Sequence, residues 1–152
     1  MRTSLDLDCF DGRYSFRLDM AGIVAIEERH GPIGEIFART MAGRYQDFGD
    51  PLAARFRFAE LVTIIRHGLI GGNSGFVDGQ DIKVSPHLAN HLVDTYVAAN
   101  KDNPWDEAWK LAASILHASM HGYQPAIDEA QKKTTQDRPD ASTADRSSQT
   151  VF

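Results

Sequence analysis

The alternation of apolar and polar residues near the N-terminus predicts a β-hairpin over residues 3–19. Alternation with a period of two is typical of a strand that buries one face. The alternating apolar positions are Leu5, Leu7 and Cys9 in the first run and Tyr14, Phe16 and Leu18 in the second. Asp11-Gly12, between the two runs, predicts the turn, because tight hairpin turns need a positive φ angle that Gly adopts easily. A lone hairpin is not stable in water, so we expect its apolar face to pack on the rest of the chain.

Apolar residues that recur every three or four positions predict about five helices after the hairpin. The predicted helices cover residues 20–30, 33–42, about 55–69, Ser85-Pro86 to Tyr96, and Asn103-Pro104 to about 121. Gly31-Pro32 ends the first helix, because Gly suits the left-handed C-cap position and Pro cannot continue a helix. Each of the last two helices begins with a polar residue followed by Pro, a favourable start signal. Gly122 is predicted to cap the last helix.

Two stretches between these helices are predicted as loops. Residues 43–54 contain two glycines and an Asp-Pro step, which is typical of a loop or an insertion. The glycine-rich run Gly71 to Gly75 predicts the end of the third helix and the start of a loop over residues 73–85. A short strand at Phe76-Val77 or at Ile82 to Val84 stays an open alternative within that second loop.

The composition changes at residue 124 and divides the chain into a domain and a tail. Residues 132–149 contain almost no apolar side chain, and such a segment cannot bury enough surface to offset the entropy of ordering. The predicted fold class is α+β and mostly α, with an N-terminal hairpin packed on about five helices in residues 1–123. Residues 124–152 are predicted to be a disordered polar tail.

Charge and cysteine content exclude several classes of function. The net charge is −5 and no cluster of Lys and Arg appears, so nucleic acid is a poor partner. The single thiol, Cys9, cannot form an internal disulfide, which favours a cytosolic or otherwise reducing compartment. The N-terminus has no signal-peptide pattern, and the longest apolar stretches are far shorter than a membrane span.

The residues that could carry catalysis do not form a known reaction centre. Gly71 to Gly75 follow a helix and no Lys-Ser or Lys-Thr comes next, so a helix cap is favoured over a phosphate loop. Glu27 and Glu28 are adjacent on a helix and point in different directions, which favours a solvated face. No Gly-x-Ser-x-Gly nucleophile motif is present. The sequence therefore predicts a protein without enzymatic activity and without a cofactor.

Two histidine pairs and two tryptophans leave alternatives open. His87 and His91 lie one turn apart on one helix, and His117 and His121 lie one turn apart on another. Facing pairs would provide four nitrogen ligands for zinc, but no carboxylate is placed to orient them, so surface pairs are favoured. Trp105-x-x-x-Trp109 favours burial in the core, and an exposed tryptophan there would be a candidate contact for a partner.

Several motifs follow one another in a fixed order between residues 11 and 122. They are an Asp-Gly hairpin ending in Tyr-x-Phe-Arg-Leu, Ile26-Glu27-Glu28 before a Gly-Pro, Arg66 to Gly72, Leu92-Val93-x-x-Tyr96, and Leu111 to Leu116 with a closing Gly122. In this order they resemble the gene-transfer-agent and phage tail assembly chaperone family, which is also labelled tail tube protein. The Gly-Leu-Ile-Gly-Gly element at residues 68–72 is the most specific part of the resemblance.

The resemblance implies a small protein that binds the tape measure protein, the tail tube protein or both, in the bacterial cytoplasm during tail assembly. Long tape measure helices expose apolar stripes that a chaperone can cover. The predicted partner surface is the hairpin edge with the loop around Gly71 to Phe76. Its candidate contact residues are Leu69, Ile70, Gly71, Gly72, Phe76 and Trp105. The alternatives are a tube or tail-tip subunit that stays in the particle, and a metal-binding helical protein; the sequence leaves the oligomeric state open.

Overall fold

A computed structural model of the protein describes residues 1–45, 47–100 and 102–122. These residues form five helices, a four-stranded antiparallel sheet and a separate two-stranded one, which confirms the predicted α+β, mostly helical class. The predicted tail, residues 124–152, lies outside the described residues. In chain order the elements are β1 (Leu5–Cys9), β2 (Gly12–Phe16), α1 (Met20–His30), α2 (Ile33–Met41), β3 (Arg44–Tyr45), β4 (Phe48–Gly49), α3 (Phe58–Gly72), β5 (Ser74–Val77), β6 (Gln80–Ile82), α4 (Pro86–Tyr96) and α5 (Trp105–His121).

Strands β1 and β2 form the predicted hairpin, but its turn differs from the prediction. Cys9 pairs with Gly12, so the two turn residues are Phe10 and Asp11. The positive φ angle belongs to Phe10, at 59°, and Gly12 is an ordinary strand residue. Gly12 is instead required by close packing, because a Cβ atom there would collide with the carbonyl oxygen of Phe76 on β5.

A second hairpin, β5–β6, occupies most of the segment that we predicted as a loop over residues 73–85. Its turn is Asp78-Gly79, where both residues have positive φ angles of 52° and 78°. Strand β5 pairs antiparallel with β2, so the sheet order is β1-β2-β5-β6. The β2 edge of the first hairpin is therefore covered, and β1 and β6 are the end strands of this sheet among the described residues.

Helix α3 ends later than predicted, because the two glycines at its C-terminus belong to the helix. Gly72 lies close to the end of β2, and Gly71 lies close to the chain that follows β2. A Cβ atom on Gly72 would collide with the carbonyl oxygen of Ser15, and one on Gly71 would collide with the carbonyl oxygen of Arg17. The backbone N–H of Arg17 donates a 2.9 Å hydrogen bond to the carbonyl oxygen of Gly68. The helix ends at Asn73, which has the left-handed conformation that favours a C-cap.

The core is built around α3, which packs against β2, α1, α4 and α5. Burial of each large apolar side chain contributes about 1.5–3 kcal/mol to folding. The largest fully buried apolar side chains include Tyr14, Phe16, Ile26, Ile36, Leu61, Ile64, Ile65, Leu69, Leu92 and Ile115. The apolar face of the first hairpin thus covers the helices, as its alternation predicts.

A buried ion pair joins α2 to α3 and was not anticipated from the sequence. The carboxylate of Glu60 is fully buried and accepts a 2.6 Å hydrogen bond from Nη2 of Arg39. Glu60 lies one turn before Ile64 on the buried side of α3. A charged residue at this position of the apolar pattern is the sequence signal for a buried ion pair. Removing Arg39 would leave the buried Glu60 carboxylate with only the more distant guanidinium of Arg57, 3.9 Å away. Loss of the close partner of a buried charge typically costs about 3–5 kcal/mol.

Candidate partner-binding surface

The segment predicted as a loop or insertion over residues 43–54 contains a short hairpin, β3–β4, that packs on α5. The backbone of Gly49 lies directly against the Trp109 ring, and a Cβ atom at this position would collide with the ring. Trp109 itself is buried, and its Nε1–H donates a 2.7 Å hydrogen bond to the carbonyl oxygen of Thr40. The hairpin therefore covers a tryptophan that belongs to the core.

Two ion pairs join this hairpin to the first turns of α5. The side chain of Arg44 is buried, its guanidinium lies 4.9 Å from the centre of the Trp109 ring, and its Nη1 donates to Asp106 at 2.6 Å. Nζ of Lys110 lies 3.1 Å from a carboxylate oxygen of Asp47 at the hairpin tip. The exposed Asp47 pair contributes little by itself, but the buried Arg44 gives the hairpin a fixed position.

Three large aromatic side chains remain exposed on the β3–β4 hairpin and the first turn of α5. Tyr45 is 60% exposed, Phe48 is 66% exposed and Trp105 is 62% exposed. The rings of Tyr45 and Phe48 lie 6.2 Å apart, and Trp105 lies 6.0 Å from the ring of Phe58 at the start of α3. We call Tyr45, Phe48 and Trp105 the aromatic surface. Exposed aromatic side chains on a fixed frame are typical of contacts with a protein partner.

The sequence favours burial of both tryptophans of α5 and makes an exposed one, Trp105, a candidate contact; the structure separates the two. Trp109 is only 3% exposed, as predicted, whereas Trp105 is mostly exposed and meets the condition for a candidate contact. Tyr45 and Phe48 are not among the predicted contact residues, because the sequence of residues 43–54 predicts a loop or an insertion. The available signal was a polar turn between two aromatic residues, which is a short-hairpin pattern.

The other predicted contact residues lie at the opposite end of α3. Leu69 is fully buried, so its side chain is not on the surface. Ile70, Gly71 and Gly72 are partly buried, and the two glycines pack against the end of β2 and the chain that follows it. Phe76 is 49% exposed, opposite Arg13 in the sheet. Whether any of them touches a partner stays a prediction.

The predicted contact residues do not converge on one site. Phe76 follows the C-terminal end of α3, whereas Trp105 contacts Phe58 at its N-terminal end. A helix of 15 residues is about 22 Å long, so the two exposed aromatic side chains belong to separate surfaces.

The histidine pairs do not assemble the four-nitrogen zinc site that was kept as an alternative. His87 and His91 are exposed on α4, and His117 and His121 are exposed on α5. The rings of the second pair lie 4.7 Å apart, and His121 packs edge-on against Phe37. In residues 1–45, 47–100 and 102–122, no group of three or more His, Cys, Asp or Glu side chains is arranged to hold a metal ion.

Comparison with known protein families places the chain among phage tail proteins: one family model matches residues 2–122. The chain belongs to the family described as "Phage tail tube protein, GTA-gp10". It is therefore a structural or assembly protein of a phage or gene-transfer-agent tail, in agreement with the resemblance found in the sequence. Neither the curated proteins nor the solved structures gave a match. None of the helices in the described part of the chain is long and apolar enough to cross a membrane.

Proposed function

We propose that this protein is a non-enzymatic tail assembly chaperone that binds the tape measure protein, the tail tube protein or both through the aromatic surface. The observation that carries the proposal is the exposure of Tyr45, Phe48 and Trp105 on a frame fixed by buried groups. A group of large exposed aromatic side chains is typical of a site that a protein partner covers.

The energetics of the aromatic surface suit protein binding. Burial of one aromatic side chain at an interface contributes about 1.5–3 kcal/mol, so three rings supply a hot-spot cluster. The buried Arg44 and Trp109 hold the β3–β4 hairpin in place before a partner arrives. Preorganisation of this kind lowers the entropy cost of binding. The cytoplasm, before assembly of the tail is complete, is where such a surface would act.

Co-expression of the tape measure protein from the same genome tests the chaperone role. We expect the wild-type chain to raise the soluble fraction of the tape measure protein, because the aromatic surface covers its apolar stripes. The double variant Phe48→Ala/Trp105→Ala should lose most of that effect. The matched control is Met20→Ala/Val24→Ala, which removes two exposed apolar side chains from α1 and should behave as the wild type does. Equal solubilisation by all three chains would contradict the proposed surface.

A second candidate function is a subunit that stays in the tail, and the family description as a tail tube protein favours it. The end strands of the four-stranded sheet, β1 and β6, could pair with neighbouring subunits. Quantitative mass spectrometry of purified particles separates the two functions. Many copies in each particle would support the structural subunit, and absence from particles that assemble normally would support the chaperone.

A further inference from the structure

An open groove runs beside the first strand of the sheet, between β1 and the first half of α5. Its volume is about 480 Å³. Its apolar walls and floor come from Leu7, Cys9, Phe10, Tyr96, Ala108 and Leu111. Ser114 continues the α5 wall one turn further on. A groove of this size is in the range that binds a ligand or a short peptide segment.

The wall formed by β1 is also a strand edge. Strand β1 is the last strand on its side of the described sheet and pairs only with β2 among the described strands. Hydrogen-bonded and non-hydrogen-bonded pairs alternate in an antiparallel ladder, so every second residue of β1 directs its N–H and C=O away from β2. An extended segment in the groove could pair with these groups and place alternate side chains against α5.

Backbone strain is found at the end of the groove. Phe10 has a φ angle of 59°, a conformation that costs a bulky residue free energy. Its ring stacks on Tyr96 at 5.2 Å and lies 5.8 Å from Tyr14. The strained turn thus holds an aromatic side chain in the groove, and strain of this kind is common at binding sites.

Charge and position indicate what would occupy the groove. Glu107 is exposed in the α5 wall and makes no ion pair with the described residues, whereas Asp8 is paired with Arg13 and Lys110 with Asp47. A basic residue of the occupant would complement Glu107. Lys110 lines the groove and also binds the tip of the β3–β4 hairpin, so the groove adjoins the aromatic surface.

We propose that the groove between β1 and α5 binds an extended segment of the partner tail protein, which adds as a strand to the edge of β1. The segment carries alternating apolar side chains that contact Tyr96 and Leu111, and a Lys or Arg that faces Glu107. This inference rests on the proposed function, because the segment belongs to the same partner that contacts the aromatic surface.

Fluorescence anisotropy with labelled overlapping peptides that tile the tape measure and tube proteins of the same genome tests the proposal. We expect one or more peptides with alternating apolar residues to bind the full chain. Ser114→Trp fills the groove and should weaken that binding about tenfold or more, and Glu107→Lys should weaken it about fivefold through charge repulsion. Glu28→Lys makes the same charge change on the exposed face of α1 and should leave the affinity unchanged. Circular dichroism checks that each variant is folded.

Hydrogen exchange of the bound complex distinguishes strand addition from other modes. Slower exchange of the amides of β1 that point away from β2 would support the proposal, and unchanged exchange there would overturn it. Unchanged affinity in both groove variants would also overturn it. If no peptide binds but the intact partner does, the groove inference fails and the proposed function stands. If neither binds, both fail.

Discussion

The indole N–H of Trp109 donates a 2.7 Å hydrogen bond to the carbonyl oxygen of Thr40, near the end of α2. This bond holds the first half of α5 against α2 and leaves the Trp109 ring as the base on which Gly49 and Arg44 pack. Trp105, one turn earlier on the same helix, is mostly exposed. One tryptophan therefore supports the frame of the aromatic surface, and the other forms part of the surface itself.

The two tryptophans should have opposite effects when they are replaced. Trp109→Ala should lower the free energy of unfolding by about 3–5 kcal/mol, because it leaves a cavity and an unpaired Thr40 carbonyl. Trp105→Ala should lower it by less than about 1 kcal/mol, because the side chain is exposed. Urea denaturation followed by circular dichroism measures both values. Similar losses in the two variants would show that Trp105 is also a core residue.

The glycines at the end of α3 should tolerate no side chain. Gly72→Ala should destabilise the protein by about 1–3 kcal/mol, because the new Cβ collides with the carbonyl oxygen of Ser15. Gly34→Ala is the matched control, since Gly34 lies in α2 with nothing within 4 Å of a Cβ atom. That change should stabilise the protein by up to about 1 kcal/mol through helix propensity. Thermal denaturation of both variants tests the pair, and a gain in stability at both positions would contradict the close approach.

The thiol of Cys9 should be unreactive in the folded protein. Burial, together with the nearby Asp8 and Asp11 carboxylates, raises the pKa of Cys9 to about 12 from 9.0. Because only the thiolate attacks disulfide reagents, the reaction near pH 8 should be about tenfold or more slower in the folded chain than in urea. Absorbance after addition of an aromatic disulfide reagent measures the rate. Fast reaction without denaturant would show that β1 opens readily.

His67 should make the folded protein less stable in mild acid. Burial, followed by the charge of Arg66, lowers the pKa of His67 below its usual 6.5. His67 therefore binds a proton more readily in the unfolded chain than in the folded chain. The free energy of unfolding falls as the pH drops below about 6.5 and stops falling below the folded pKa. His67→Gln should remove this part of the loss. Urea titrations of both chains at about pH 7.5 and about pH 5 measure it, and identical pH dependence would refute the assignment.

Local sequence signals correctly predicted the elements whose boundaries are set by residues close together in the sequence. Ser85 accepts a hydrogen bond from the backbone N–H of Leu88, which is the N-cap that Ser85-Pro86 predicts. Gly31 ends α1, as Gly31-Pro32 predicts. The alternation around Tyr14 and Phe16 correctly identifies the buried face of the first hairpin.

The errors arose where contacts between distant residues decide the structure. Gly71 and Gly72 look like a helix end in the sequence, but they belong to a helix that packs closely against the end of β2 and the chain that follows it. Strand β5 looks like part of a loop until it pairs with β2, some 60 residues away in the chain. The sequence did carry one local signal for the β5–β6 hairpin, because Asp78-Gly79 is a typical hairpin turn. The aromatic surface exists only because β3–β4 packs on α5, and no local pattern specifies that contact.

The affinity of the intact chain for purified tape measure and tube proteins tests the central claim most directly. Isothermal titration calorimetry should give a defined dissociation constant for at least one of them. Trp105→Ala should weaken that affinity about thirtyfold or more, as expected for a hot-spot residue. Met20→Ala, which removes another exposed apolar side chain, should leave it unchanged. Binding to neither protein, or equal affinity in wild type and Trp105→Ala, would contradict the account.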